Sequence, residues 1–467
     1  MTSADPKHIL IVTDDVLTER MAGPAIRAWE IAGSLCTDHE VVLATTSPVC
    51  ETHSDRFQTE AADATRFVEL EAWCDVVLMQ GYVLERVQPL RDTNKVIIVD
   101  LYDPIFLEDL ELNRSLPEPD RTGQIADVVR VFAVQAARGD YFLCASEKQR
   151  DLWMGFLAAF GRVNPANYER DPSLRSLLDV VTFGLPDDPP QRAGPAMRGV
   201  VDGIESNDEI VLWGGGVYDW LDPVTAIRAI DRVRRRRPNV RLFFLGVKHP
   251  SPFAEESRAL GAARAAAAEL GLTGRHVFFN DGWIPYARRA DYLLEADVGI
   301  SLHQDHVETA YSFRTRILDC IWAGLPIVAT AGDAFAELIQ REGLGSVVPA
   351  EDVEAVADAL VGLLEDAGRR ASCRERAAIV APRFAWSAVL EPLIRFCAHP
   401  LRAPDAQRRA AWAAEHTGGT GGAGPQAGSP GGARSLTGAA RRAWEVYRAE
   451  GVRAAASRSL RVVRRRI

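Results

Sequence analysis

The chain has 467 residues, 47% of them apolar and 25% charged, enough for two hydrophobic cores. No apolar run approaches the roughly 18 residues of a membrane-spanning helix. The net charge of −10 argues against wholesale nucleic-acid binding.

The acidity is uneven, because residues 434–467 hold ten arginines against two glutamates. Seven cysteines are scattered without a C-x-x-C pair, which argues against structural zinc and against a disulfide framework. The opening MTSADPKHILIV has no basic segment followed by an apolar stretch and a cleavage site, so a cytoplasmic protein is expected.

In chain order, HILIVT (8–13) predicts a buried strand. Gly23-Pro24 predicts a helix start, with Pro24 suited to the first helical position. A second strand follows at Glu40–Ala44, giving the β-α-β opening of a parallel sheet. Ligands of such sheets sit beyond the carboxyl ends of the strands, which puts Thr13, Asp14, Asp15 and Gly23 at the mouth of a site. Further strands are predicted at 76–79, 96–99 and 140–145, and a last one at 180–186. Asp100 and Asp103 follow a strand end and suit an acceptor hydroxyl or its proton; an Asp-Pro turn explains them equally well.

Residues 187–209 are rich in Pro, Gly and acids and predict an interdomain linker. The β-α pattern then restarts with EIVLW (209–213), Gly214-Gly215-Gly216 and a helix at 224–236. Three glycines let backbone approach a ligand, or make a flexible turn. Strands at 242–246 and 276–279 precede Lys248 and Trp283, and a short strand at 298–300 leads into SLHQDHVETAYSFRTRILDCIWAGLPIVAT (301–330). There a helix opening near Ser312 carries Arg314, Arg316 and Asp319. Each cation at a helix N-terminus costs about 0.3–1 kcal/mol unless an anion offsets it. A phosphate group satisfies that requirement; so does pairing with Asp305 and Glu308 on a solvated surface.

The segment AGLPIVAT, after a helix bearing Asp319, resembles the sugar-nucleotide motif of family 4 (group 1) glycosyltransferases. The resemblance runs over about residues 8–400. It implies a GT-B fold: an α/β protein of two Rossmann-like domains with parallel sheets facing a central cleft. It implies transfer of a sugar from a nucleotide-sugar donor to a glycan or lipid-linked acceptor in cell-envelope polysaccharide synthesis, with retention and without a metal or other cofactor. In that family two acids lie eight positions apart. Asp319 takes the second place, for the ribose; the first falls on Tyr311, so Glu308 is assigned to the donor sugar. In this reading Gly23, Gly215, Lys248, Trp283, Ser312, Phe313 and Arg314 are expected to line the donor site, and Arg316 and Asp103 to join Glu308 as catalytic residues. Two departures stand out. The basic pair that follows the glycine loop in the family is absent, and DLYDP (100–104) lacks the family's histidine. The rival readings are another GT-B enzyme, an epimerase or phosphorylase, or a non-catalytic scaffold.

The expected organisation is an acceptor-side domain at 1–186, the linker at 187–209 and a nucleotide-sugar domain at 210–384. A helix at 385–400 would cross back to the first domain. Residues 401–435, low in complexity towards their end, should be a disordered linker. In 436–467, Trp444, Tyr447, Leu460 and Val463 lie at helical steps among arginines. That pattern suits a basic amphipathic helix on an anionic membrane surface, making the protein peripheral at the inner face of the plasma membrane, or alternatively a partner-binding helix.

Overall fold

A computed structural model describes residues 5–406, apart from 253 and 255; the expected linker beyond 406 and the basic helix at 436–467 lie outside the described residues. The first lobe holds seven strands: β1 (His8–Thr13), β2 (Glu40–Thr45), β3 (Gln58–Ala61), β4 (Val76–Gln80), β5 (Val96–Asp100), β6 (Tyr141–Cys144) and β7 (Leu178–Val180). They form one sheet in the order β3-β2-β1-β4-β5-β6-β7, every pair parallel. The second lobe holds β8 (Glu209–Trp213), β9 (Val240–Phe244), β10 (Val277–Phe279), β11 (Val298–Ser301), β12 (Ile327–Thr330) and β13 (Gly345–Val348). Their order is β10-β9-β8-β11-β12-β13, again all parallel. In both sheets the chain winds outward from the first strand in two directions, leaving a crevice beyond the strand ends where the order reverses.

The apolar runs are continuous because both faces of each sheet are covered. In β1, Ile9 and Ile11 pack on one face and Leu10 and Val12 on the other. In β8, Ile210 and Leu212 join the core shared with the first lobe, while Val211 and Trp213 face the opposite layer.

Three boundaries differ from expectation. The strand expected at 180–186 ends at Val180; the following residues run on extended until Leu185 pairs with Ala385. The helix expected to open near Ser312 begins at Thr315, after a separate short helix at Val307–Tyr311. Within residues 401–406, placed in a disordered linker, Ala403 and Asp405 are buried, and Asp405 accepts from Arg162 Nε at 2.8 Å and from Asn164 and Asn167 at 2.9 Å.

The chain returns to the first lobe through two short helices, Trp386–Val389 and Glu391–Ala398. Phe396 stacks on Tyr141 at 4.2 Å. Gly184 is required where Trp386 crosses, because a Cβ there would lie 2.3 Å from the indole.

Candidate active site between the lobes

The crevice spans about 880 Å³, counting the solvent at its open mouth. Its first-lobe wall is the start of the helix Gly23–Leu35, which follows the loop after β1. Its second-lobe wall is built from the loops after β8, β9 and β10 and from the helix Thr315–Trp322. Two hydrogen bonds tie the lobes together at this mouth: Trp283 Nε1 donates to the Met21 carbonyl at 3.0 Å, and the Tyr286 amide to the Glu19 carbonyl at 2.8 Å.

Gly23, Gly215, Trp283, Arg316 and Asp319 all line this crevice. Gly215 sits at φ +80°, a region that L side chains rarely adopt, and so gives the β8 loop its sharp turn. Arg316, in the first turn of its helix, lies over the Trp213 ring at 5.0 Å and donates one Nη2 bond to the Gly216 carbonyl at 2.9 Å. Its Nη1 is buried without a partner, and it forms no ion pair among the described residues. Burial, helped by the nearby Arg314 charge, lowers its pKa to about 10. An arginine in this state lacks an anion. Asp319, one helical turn on, pairs with Arg289 Nε at 3.2 Å and keeps 35% of its side chain exposed. Burial pushes its carboxyl up, and Arg289 opposes the shift. Arg289 itself stacks on Tyr286 at 3.7 Å and on Trp322 at 4.6 Å.

Four expected donor residues do not line the crevice. Lys248 is exposed, and its neighbour His249 packs towards Trp283 instead, 5.7 Å between rings. The Ser312 hydroxyl donates to the Thr309 carbonyl at 3.0 Å. Phe313 packs on Phe335 at 4.7 Å. Arg314, buried and at the N-cap, is held by Glu308 at 2.6 Å. The pairing alternative was therefore right for one arginine of the two, although the pair is buried rather than solvated. The next helix, Ala334–Glu342, is capped by the Asp333 side chain, which accepts from the Ala336 amide at 2.8 Å.

Glu308 and Asp103 meet in a second cluster, where the helix Ile105–Leu112 of the first lobe packs against Val307–Tyr311 of the second. Burial, then the Glu308 charge, raises Asp103 to about 7. Glu108, hydrogen-bonded to Asp103, is pushed well above its ordinary value by burial and then by Asp103. Burial and the mutual repulsion of the carboxylates favour the protonated form of both groups. Asp100, by contrast, is no free base: Arg27 holds it through two bonds at 2.6 and 3.0 Å.

Sequence reasoning passed over Arg289 and Glu108. Arg289 follows Tyr286 by three residues, a spacing that stacks the two on one helical turn. Glu108 belongs to an acidic helix start just after Asp103-Pro104, a pattern that also reads as ordinary dipole compensation.

Comparison with known proteins agrees with this architecture. Residues 209–366 match the model of the family described as Glycosyl transferases group 1. A phosphatidyl-myo-inositol mannosyltransferase of Mycolicibacterium smegmatis is 32% identical over 198 residues, 42% of this chain and 46% of that protein. The chain therefore spans less than half the length of this curated relative. Sucrose-phosphate synthase from Thermosynechococcus elongatus superposes with a TM-score of 0.58 at 17% identity, over 83% of this chain and 98% of that one. Anabaena HepE, solved in complex with UDP and glucose, gives 0.59 at 14% identity with the same coverage. WaaG, a glycosyltransferase involved in lipopolysaccharide biosynthesis, gives 0.56 at 17%, over 82% of this chain and 98% of that one. At these identities the structural likeness is one of fold. Residues 209–366 are thus similar to the group 1 glycosyltransferases, within a described chain that has the GT-B fold of two facing Rossmann-like lobes.

Proposed function

We propose that the protein transfers a glycosyl group from a nucleotide-sugar donor to a hydroxyl of a glycan or glycolipid acceptor. The observation that carries this reading is Arg316: a buried guanidinium with a vacant donor, at a helix N-terminus, beside a glycine turn in the interlobe crevice. The diphosphate of a nucleotide sugar supplies the absent anion. Asp319 would hold the ribose, and Trp283 would flank the base. Glu308, oriented by Arg314, would face the donor sugar.

In the reaction, the bond from the anomeric carbon to the diphosphate oxygen breaks. A bond from the same carbon to the acceptor oxygen forms, and the acceptor proton passes to Asp103. Arg316 stabilises charge as it develops on the leaving diphosphate. Stabilisation by a fixed cation and helix amides supports a metal-independent reaction, and family likeness supports retention. The similarity to phosphatidyl-myo-inositol mannosyltransferases supports a mannosyl or other hexosyl group and a lipid-linked acceptor. The arginine-rich pattern at 436–467 supports work at an anionic membrane surface in envelope glycan synthesis.

The test is turnover of radiolabelled UDP-, GDP-, ADP- and dTDP-sugars by the wild type and by Asp319→Ala, with and without membrane lipid extract. Turnover of one donor, stimulated by the extract and weakened in the variant through KM, is expected. Turnover that ignores the acceptor and yields an epimer would overturn the reading.

A further inference from the structure

Beyond the aromatic pair Tyr218 and Trp220, stacked at 4.9 Å, a second groove opens between the lobes and spans about 890 Å³, counting the solvent at its open side. Glu111 and Arg114 line it from the first lobe, and Asp222, Arg228, Gln304 and Glu351 from the second. Arg258 spans it, donating to the Glu111 carbonyl at 2.6 Å and pairing with Asp219 at 3.0 Å. The groove adjoins the carboxyl cluster. Glu108 and Glu111 lie one turn apart on the same helix, and Gln304 belongs to the loop that leads to Glu308.

Asp222 is 6% exposed at this groove. Its Oδ1 caps the helix Pro223–Val233 by accepting from the Thr225 amide at 3.0 Å. Its Oδ2 is buried with no hydrogen-bond partner. A buried carboxylate oxygen left without a donor is unfavourable, so the fold holds here an acceptor atom that a ligand hydroxyl can satisfy. The charge balance says what kind of ligand. Glu111, Asp219, Asp222 and Glu351 stand against Arg114, Arg228 and Arg258, with acids and arginines interleaved. Unlike the crevice at Arg316, such a wall offers an anion no net attraction. It offers a neutral polyol donors and acceptors side by side, and planar carboxylate and guanidinium groups reach two neighbouring hydroxyls at once.

We infer that this groove is a distal subsite for an uncharged glycan, gripping acceptor sugar residues away from the hydroxyl that is glycosylated. It rests on the glycosyltransferase reading for its purpose, but not for its binding. The test is titration of the full-length protein with mannotriose, cellotriose and methyl α-mannoside, followed by saturation-transfer NMR. Asp222→Asn keeps the helix cap while replacing the orphan acceptor with an amide donor, and Arg228→Glu changes an exposed wall residue that caps nothing. The expected result is that a trisaccharide binds at millimolar concentration, more tightly than the monosaccharide, and at least fivefold more weakly in both variants. Binding of no probe, or binding unaltered in the variants, overturns the inference. UDP and GDP titrated in parallel keep the two readings separate. Loss of trisaccharide binding with nucleotide binding intact marks this groove, whereas absence of nucleotide binding in the wild type sinks the transferase reading and leaves the groove standing.

Discussion

Arg316 and Arg314 are two residues apart and have opposite fates. Arg314 pairs with Glu308, although its Nε has no hydrogen-bond partner; Arg316 finds only a backbone carbonyl, pairs with no acid among the described residues and keeps a vacant Nη1. The sequence shows both cations at a helix start, but not which of them an acid will reach, because that depends on the short helix Val307–Tyr311 turning Glu308 inward. Replacing Arg316 by Ala should lower kcat/KM by roughly 100-fold, and Lys should restore part of it, since an ammonium keeps the charge but not the planar fork. Equal activity of the Ala and Lys variants would remove the diphosphate role. Asp103 gives a second residue-scale prediction. Its carboxyl keeps a proton up to about 7 in the folded chain, against 3.8 for an ordinary aspartate. Folding therefore takes up a proton between those values, and this contribution to stability is lost as pH rises through the window. Thermal melts should show a Tm that falls from pH 4 to pH 8, with a smaller fall in Asp103→Asn. Transfer should rise through pH 7 in the wild type only.

At the scale of elements, the buried central strands were legible because parallel strands covered on both faces read as unbroken apolar runs. Two of the four edge strands, β3 and β13, were not. QTEA in β3 and GSVV in β13 carry polar or small residues at the sheet margins, where one side faces solvent or a loop. The break at Ser312–Arg314 was equally hidden; there Phe313 packs on Phe335, a contact between residues distant in sequence. Two substitutions probe elements directly. Gly215→Val forces a β-branched residue to φ +80° and should destabilise by about 1–3 kcal/mol while weakening nucleotide binding. Asp405→Ala leaves the buried Arg162 without its carboxylate and should cost about 3–5 kcal/mol in urea unfolding. A change below 1 kcal/mol would show that the segment 401–406 does not hold the first lobe.

Across the whole molecule, the β-α alternation and its restart after residue 208 were enough to expect two parallel-sheet lobes, and the family resemblance supplied their GT-B arrangement. The way the lobes meet was not readable. The bonds from Trp283 to Met21, from Tyr286 to Glu19, and from Gln149 to the Tyr311 carbonyl at 2.8 Å join residues far apart in the chain through backbone carbonyls, which leave no trace in residue type. The tail makes its own prediction. Truncation after residue 435 should abolish sedimentation with phosphatidylglycerol vesicles and leave nucleotide binding unchanged; continued sedimentation would move membrane contact to the body of the protein.

Everything chemical here depends on a diphosphate seated against Arg316. Calorimetric titration of UDP, GDP, ADP and dTDP into the wild type and Arg316→Ala tests it most directly. Binding of at least one of them to the wild type, weakened tenfold or more in the variant, or about 1.4 kcal/mol, is the predicted result. The same affinity in both proteins for every nucleotide, or no binding to either, would contradict the account.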